Sequence, residues 1–334
     1  MILEDLVRIP STSGHEAEAV AWFANRAKRD GFEAEVDAAG NLHIHRGGPT
    51  PVWYIGHIDT VPGDIPVRIE DGELWGRGSV DAKGCLAAAY EALLASPTAP
   101  VRIVACVGEE RDSPGAKHLL QGPSPERIMI GEPSGSDGLT LGYKGIVRAA
   151  VALATDAQHG GHPSPNALDQ FMARWPADLH TGYGFGDVTL RLRDLHSSSD
   201  GLSDQVLAWL EVRIPPGLSP DAVVERLREA FPEVQVEEAW PAVSTNRRDP
   251  WVAQGSAAIR FAGMTPRPKH KTGTSDWNVL ATTWDVPTVA FGPGDAALDH
   301  RPDERMNLDD YARGVAVLTA WFSALDQVEM GEQG

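Results

Sequence analysis

Short apolar runs that stop at a polar residue constrain this chain more than any other feature. Val52-Trp53-Tyr54-Ile55 runs into Gly56-His57-Ile58-Asp59. Val101 to Val107 runs into Gly108-Glu109-Glu110, and Arg127 to Ile130 into Gly131-Glu132-Pro133. Each run has strand length and, apart from Arg102 and Arg127, is apolar, as expected of strands buried on both faces. Helical stretches lie between and around them, among them an amphipathic one carrying Ala17, Val20, Ala21, Phe23, Ala24 and Ala27, and the run from Cys85 to Ser96. Buried strands alternating with helices predict an α/β fold, a mostly parallel sheet with helices on both faces. Ligands of such sheets bind beyond the carboxyl ends of the strands. The places where these runs stop are therefore where chemistry is expected.

The middle of the chain reads differently. Leu141 to Thr155, Val188 to Ser197 and Asp204 to Gly217 form longer strands with partial alternation; helices start near Asn166 and at Pro220, and Val234 to Glu238 adds a last strand. This β-α-β-β-α-β order suits a small sandwich of one sheet and two helices. After it the first style returns, with a helix near 250–262, a strand at Pro268 to Lys271, a helix from Asp276, the strand Val286 to Gly292 and a final helix from Leu308. The expected organisation is one α/β domain from residues 1–144 and 251–334, with an α+β sandwich of residues 145–250 inserted. At 334 residues the chain exceeds what one compact core usually holds.

Charge and cysteine content narrow the function. A formal net charge of −18 argues against nucleic acid and against an anionic membrane surface. No apolar run approaches the roughly 20 residues needed to span a bilayer. Glu4, Asp5 and Arg8 interrupt the N-terminal apolar positions, so no signal peptide is expected. Two cysteines, Cys85 and Cys106, do not make a disulfide framework, and a cytoplasmic setting is the simplest expectation.

His57 and Asp59 sit two apart on a strand, so they share a face. A carboxylate so placed accepts one ring N–H and leaves the other nitrogen for a metal. A His–Asp pair capping a strand end would look the same in this stretch alone. Five further residues decide the matter by conjunction: Asp81 opens a helix, Glu109, Glu110 and Glu132 end strands, and His300 follows the last strand. Two histidines and three carboxylates hold two divalent ions if one carboxylate bridges. Asp81, short and at a helix start, is the best bridge. Nitrogen and oxygen donors without thiolate suit zinc, with cobalt or manganese as alternatives. Such ions activate a water and polarise a carbonyl. One of the adjacent Glu109 and Glu110 then binds metal while the other moves the proton from water to a leaving amine.

The segments Gly56 to Pro62, Gly76 to Gly84, Gly108 to Glu110, Gly131 to Pro133 and the late His300 resemble the zinc-dependent aminoacylase and carboxypeptidase family, in order and spacing, across nearly the whole chain. That family includes acetylornithine deacetylase, succinyl-diaminopimelate desuccinylase and glutamate carboxypeptidase. The resemblance implies that His57 and Glu132 bind one metal, that Glu110 and His300 bind the other, that Asp81 bridges and that Glu109 is the general base. It implies a lid and dimerisation role for the inserted domain, hence a homodimer. A lid histidine would enter the partner's site, with His159 of the His159 to Pro163 segment preferred and His162 as the alternative. Arg213 occupies the family position that reaches a substrate carboxylate; a structural salt bridge is the plainer reading.

Within the family, the segments 108–119, 131–135, 141–145, 271–280 and 291–300 are similar to a narrower group. That group releases lysine, in some lineages ornithine, from a small acidic amino-group carrier protein of lysine and arginine biosynthesis. A local feature is compatible with this: the basic run Arg267, Lys269, His270, Lys271, just before Gly273 and Thr274, would meet an acidic carrier tail or a substrate carboxylate, so Lys271, Gly273 and Thr274 are expected to bind substrate. A solvated strand edge is the plain alternative for that run. Two other readings stay open: a deacylase of free N-acyl amino acids or dipeptides, and a metal-stabilised binding protein. Glu109 counts against the last, since a structural site needs no base beside its ligands.

Overall fold

The computed structural model describes residues 1–331, with side chains through Leu325. It divides into two compact units: one takes Met1–Gly142, Thr245–Lys269 and the chain from Ser275 onward, the other Tyr143–Ser244 with His270–Thr274.

In the first unit the central sheet runs in the order Glu33–Val36, Leu42–His45, Val101–Cys106, Val52–His57, Arg127–Gly131, Thr288–Ala290, Gly138–Tyr143. The middle four strands are parallel, and the flanking pairings are antiparallel. The register decides what the sheet can present. His57 pairs with Cys106 and Gly56 with Gly131, so Val101–Cys106, Val52–His57 and Arg127–Gly131 end level. Residues just beyond those ends, Asp59, Glu109, Glu110 and Glu132, therefore share one rim.

The helix Lys83–Ala95 carries apolar residues all round and is buried on nearly every face, as its sequence requires. It packs on the sheet and against the long helix Leu308–Gly331. Among the described residues, no helix is long and apolar enough to cross a membrane.

The second unit is a four-stranded antiparallel sheet, in the order Thr189–Ser199, Ser203–Ile214, Gly145–Asp156, Gln235–Trp240. The helices Ala167–Arg174 and Pro220–Ala230 cover one face, and the β-α-β-β-α-β order is that read from the sequence. The single strand read over Leu141 to Thr155 is in fact two, Gly138–Tyr143 and Gly145–Asp156. A Cβ on Gly145 would lie 2.5 Å from the Ala242 nitrogen and the Trp240 oxygen, so only glycine fits this joint.

The boundaries also differ from 145–250. Thr245 donates to the Leu141 carbonyl at 2.8 Å and belongs with the first unit. Residues 270–274 join the second through Lys144 N–H to the Lys271 carbonyl, 3.2 Å, and Arg213 to Thr274, 3.0 Å. Between the strand Val52–His57 and the helix Lys83–Ala95 the chain forms a second, small sheet that was not read from the sequence. Glu73–Trp75 pairs there with Arg68–Glu70 on one side and, on the other, with Arg305–Asn307 from the far end of the chain.

Gly131 is the last residue of its strand and abuts the buried Tyr54 ring, 2.5 Å from where a Cβ would stand. Tyr54 cannot retreat, because its hydroxyl reaches the Phe291 carbonyl at 3.0 Å. Gly131→Ala is expected to destabilise the protein by about 1–3 kcal/mol through overpacking. Chemical denaturation checks this, and an unchanged midpoint would mean that the strand end yields.

Candidate metal centre

The rim gathers five of the residues singled out above, His57, Asp81, Glu110, Glu132 and His300, into two overlapping groups. His57, Asp81 and Glu132 form one, and Asp81, Glu110 and His300 the other; within each, one ligand atom per residue lies within 4.8 Å of the others. Asp81 belongs to both and faces each histidine with a different oxygen. Its Oδ1 is 3.1 Å from His57 Nε2 and its Oδ2 is 3.2 Å from His300 Nε2. Glu132 Oε1 stands 3.7 Å from His57 Nε2, and Glu110 Oε1 stands 2.9 Å from His300 Nε2. Glu109 lies close enough to form a third such group with His57 and Glu110.

Asp59 is fully buried beneath this rim. His57 turns Nδ1 toward the Asp59 backbone carbonyl at 3.0 Å, while the nearest carboxylate oxygen is at 3.5 Å. The pairing read from the sequence thus runs largely through the main chain. The Asp59 carboxylate accepts instead from the Ser13 hydroxyl at 2.6 Å and from the Glu109 and Glu110 amides, each at 3.1 Å. One buried residue so fixes the histidine through its backbone carbonyl and the glutamate pair through its side chain. A second carboxylate, Glu304, does the same for Asp81: it accepts from the Val80 and Asp81 amides at 2.9 and 3.2 Å and from Arg77 at 2.8 Å.

The rim is a crowd of like charges. Burial, with the charges of Glu110, Glu132 and Asp276, holds Glu109 well above the ordinary carboxylate value, against the pull of His57. Burial raises Glu110 too, although His300 opposes it. Burial pushes the Asp276 carboxyl up to about 6. Burial alone would lower His57, yet its contacts with Asp59 and Asp81 and the charge of Glu109 hold it well above its usual value. Asp81 and Glu110 raise His300 to about 10. These nitrogen and oxygen donors around a shared carboxylate fit a pair of divalent cations, which would supply the positive charge that two imidazoles do not.

His159, His162, Arg213, Lys271, Gly273 and Thr274 lie in the second unit. His159 and His162 occupy an exposed turn with their rings 6.0 Å apart; each Nδ1 accepts a backbone N–H two residues on, from Gly161 and Ser164. Arg213 donates to the Thr274 hydroxyl at 3.0 Å. The Lys271 ammonium sits 5.7 Å from the Tyr143 ring centre, and Gly273 faces open space. The basic run is not a free patch. Arg267 pairs with Asp137 at 3.0 Å, and Lys269 donates to the Ser134 carbonyl at 2.5 Å. Ser13, Arg77, Asp276 and Glu304 were not singled out from the sequence. The one available signal for Glu304 was its place four residues after His300.

The sequence profile of Peptidase family M20/M25/M40 matches residues 53–324. The chain is 42% identical to the LysW-lysine hydrolase of Deinococcus radiodurans, over 97% of this chain and 96% of that protein. It is 41% identical to the putative LysW-lysine/LysW-ornithine hydrolase of Thermococcus kodakarensis, over 95% of this chain and 89% of that protein. Its fold is that of the Bacillus subtilis YXEP protein, described as a dinuclear metal-binding peptidase, with TM-score 0.71, 14% identity and coverage of 98% and 96%.

The surroundings of Arg213 generate a pH dependence. Glu211, buried, receives Arg213 at 2.9 Å, Arg193 at 3.3 Å and Arg148 at 3.6 Å. Burial raises its carboxyl, but these guanidinium groups hold it below the unfolded value of 4.5. A depressed folded value stabilises fully above the unfolded one and is lost as pH falls through the folded one. Glu211→Gln is therefore expected to cost about 1.5–3 kcal/mol at neutral pH. Denaturation of both proteins from pH 7 downward should show the gap closing below about pH 4.5. A gap constant with pH would remove charge as its source.

Proposed function

The chain belongs to peptidase family M20/M25/M40, and from that footing we propose that it is a two-metal amidohydrolase. It releases lysine, with ornithine as the second amine, from the glutamyl side chain of a small acidic amino-group carrier protein in the cytoplasm. The observation that carries the chemistry is the pair of three-residue groups sharing Asp81. The high identity to two carrier-linked lysine or ornithine hydrolases supports the substrate.

His57, Asp81 and Glu132 would hold one cation, and Asp81, Glu110 and His300 the other, with zinc as the first choice and cobalt or manganese as alternatives. Bound there, the cations would polarise the scissile carbonyl and make water acidic enough to attack it. The protein's own part is positioning and proton transfer. Asp59 fixes the main chain at Glu109 and Glu110, so the Glu109 carboxylate is presented to the same space as His57 and Glu110. From there Glu109 takes the proton of the attacking water and delivers it to the departing α-amine. Arg213, Lys271, Gly273 and Thr274 would receive the substrate's carboxylate end. The same reading carries a homodimer, in which His159 of the partner subunit, or His162 in its place, steadies the oxyanion.

One observation favours a deacylase of free N-acyl amino acids instead. Arg267 and Lys269, the expected docking cations, are already engaged by Asp137 and the Ser134 carbonyl. A small acyl donor needs no docking surface.

Glu109→Gln is expected to retain the metal and lose turnover by roughly 10²- to 10⁴-fold, the range for a lost general acid–base. Metal analysis beside a rate assay checks it, and unchanged turnover would remove Glu109 from the mechanism. The substrate is tested by mass spectrometry on carrier protein bearing glutamyl-linked lysine or ornithine, beside N-acetyl and N-succinyl amino acids. Release of lysine from the carrier alone is expected. Cleavage of the free N-acyl compounds with the carrier untouched would keep the chemistry and overturn the substrate.

A further inference from the structure

We propose that Arg77 and Glu304 are positioning residues, a reciprocal clasp that sets the distance between Asp81 and His300 and so the affinity of the second cation position. This rests on the two-metal reading above.

Arg77 lies four residues before Asp81, and Glu304 lies four residues after His300. Each reaches across to the other loop and grips its main chain beside the ligand. Arg77 Nη1 donates to the Arg301 carbonyl, next to His300, at 3.1 Å, and Arg77 Nε donates to the Gly63 carbonyl at 3.1 Å. Glu304 Oε1 accepts from the Val80 and Asp81 amides at 2.9 and 3.2 Å. The two side chains close the clasp on each other at 2.8 Å, with Glu304 fully buried and the Arg77 side chain 12% exposed. A charge pair this enclosed and this fully hydrogen-bonded fixes geometry in a way that an exposed pair does not.

The two cation positions depend on it unequally. His57 is part of a strand and Glu132 follows one, and the strands are in register, so the sheet itself holds two of the first group's three residues. His300 has no such support. Its side chain is 54% exposed, and its backbone stands at φ 61°, a left-handed conformation that a non-glycine residue holds only when its surroundings impose it. His300 is the third residue of a turn closed by the Arg301 N–H donating to the Leu298 carbonyl at 3.2 Å, and the Arg77 contact on the Arg301 carbonyl fixes where that turn sits. The clasp also holds Asp81, which serves both groups, so its loss should fall mainly on the group that contains both Asp81 and His300.

The test is a titration of metal-stripped, full-length protein with Co²⁺, read by calorimetry and by visible absorption, on the wild type, Glu304→Ala, Glu304→Gln and Arg77→Met. The wild type is expected to take two equivalents. Glu304→Ala and Arg77→Met should bind the first with little change and the second roughly 10- to 100-fold more weakly, the usual effect of removing a group that orients a ligand. Glu304→Gln keeps an oxygen for the two amides and should fall between, which also serves if the alanine variant does not fold. Two equivalents at wild-type affinity in the folded variants would overturn the clasp, as would equal weakening of both. A wild type that takes fewer than two equivalents would overturn the two-metal reading itself, and the clasp with it.

Discussion

Negative charge concentrated where water is scarce is the constraint that the rest of the structure answers. Asp59, Asp81, Glu110, Glu132 and Asp276 are buried or nearly so, Glu109 is half-buried, and all gather at one end of a parallel sheet. Two like charges about 4 Å apart repel by roughly 4 kcal/mol at the effective dielectric of a partly buried site. The protein relieves little of this itself. Lys83, two residues past Asp81, gives its ammonium to the Ile9 carbonyl at 2.6 Å. His57 and His300 are drawn toward their charged forms, and still Glu109 and Glu110 are pushed up. An arrangement so short of positive charge is one that bound cations would stabilise, and ligands gathered only by the fold would couple metal binding to folding.

Holding such a crowd together requires that its backbone be fixed by something other than its own side chains. The register of three parallel strands does part of this, since it is the apolar packing below that sets where the chain leaves the sheet. Two further carboxylates do the rest by accepting main-chain amides. Asp59 takes those of Glu109 and Glu110, and Glu304 those of Val80 and Asp81. Accepting N–H groups favours the charged form of a carboxylate. At Asp59 burial opposes this, yet such contacts, with His57 and Ser13, hold the carboxyl below its ordinary value, while at Glu304 burial outweighs them and the carboxyl is raised.

What was legible in the sequence follows from this division. His57, Glu110 and Glu132 stand at the ends of apolar runs, and an apolar run announces both the strand and its exit, so local pattern was enough to bring them to one rim. Asp81 and His300 were readable as helix-start and loop residues that had to face that rim. The supporting residues were not readable. Glu304 acts on amides more than 220 positions away, and nothing about a glutamate in Arg301 to Arg305 reveals which main chain it meets. Ser13 likewise reads as loop chemistry until the fold brings it to Asp59. The sheet of Arg68–Glu70, Glu73–Trp75 and Arg305–Asn307 was missed for the same reason, since its third strand comes from the other end of the chain. The break at Gly145 was hidden because apolar character continues across it, and only the crowding at Trp240 and Ala242 makes the joint necessary.

The net charge of −18 bears on the substrate less than its size suggests. At physiological ionic strength a field from dispersed surface carboxylates decays within about 8 Å. It slows the encounter with an acidic carrier but does not forbid the docked state. What decides docking is the local array of cations. There the structure weighs against the simplest picture, because Arg267 and Lys269 already neutralise Asp137 and hold the Ser134 carbonyl. Those two contacts brace the loop that follows Glu132, so the basic run supports the rim before it meets any partner. A carrier tail would have to find its cations elsewhere than at Arg267 and Lys269. Recognition would then fall on the few terminal atoms of the substrate, where a carrier-linked lysine and a small N-acyl amino acid look most alike.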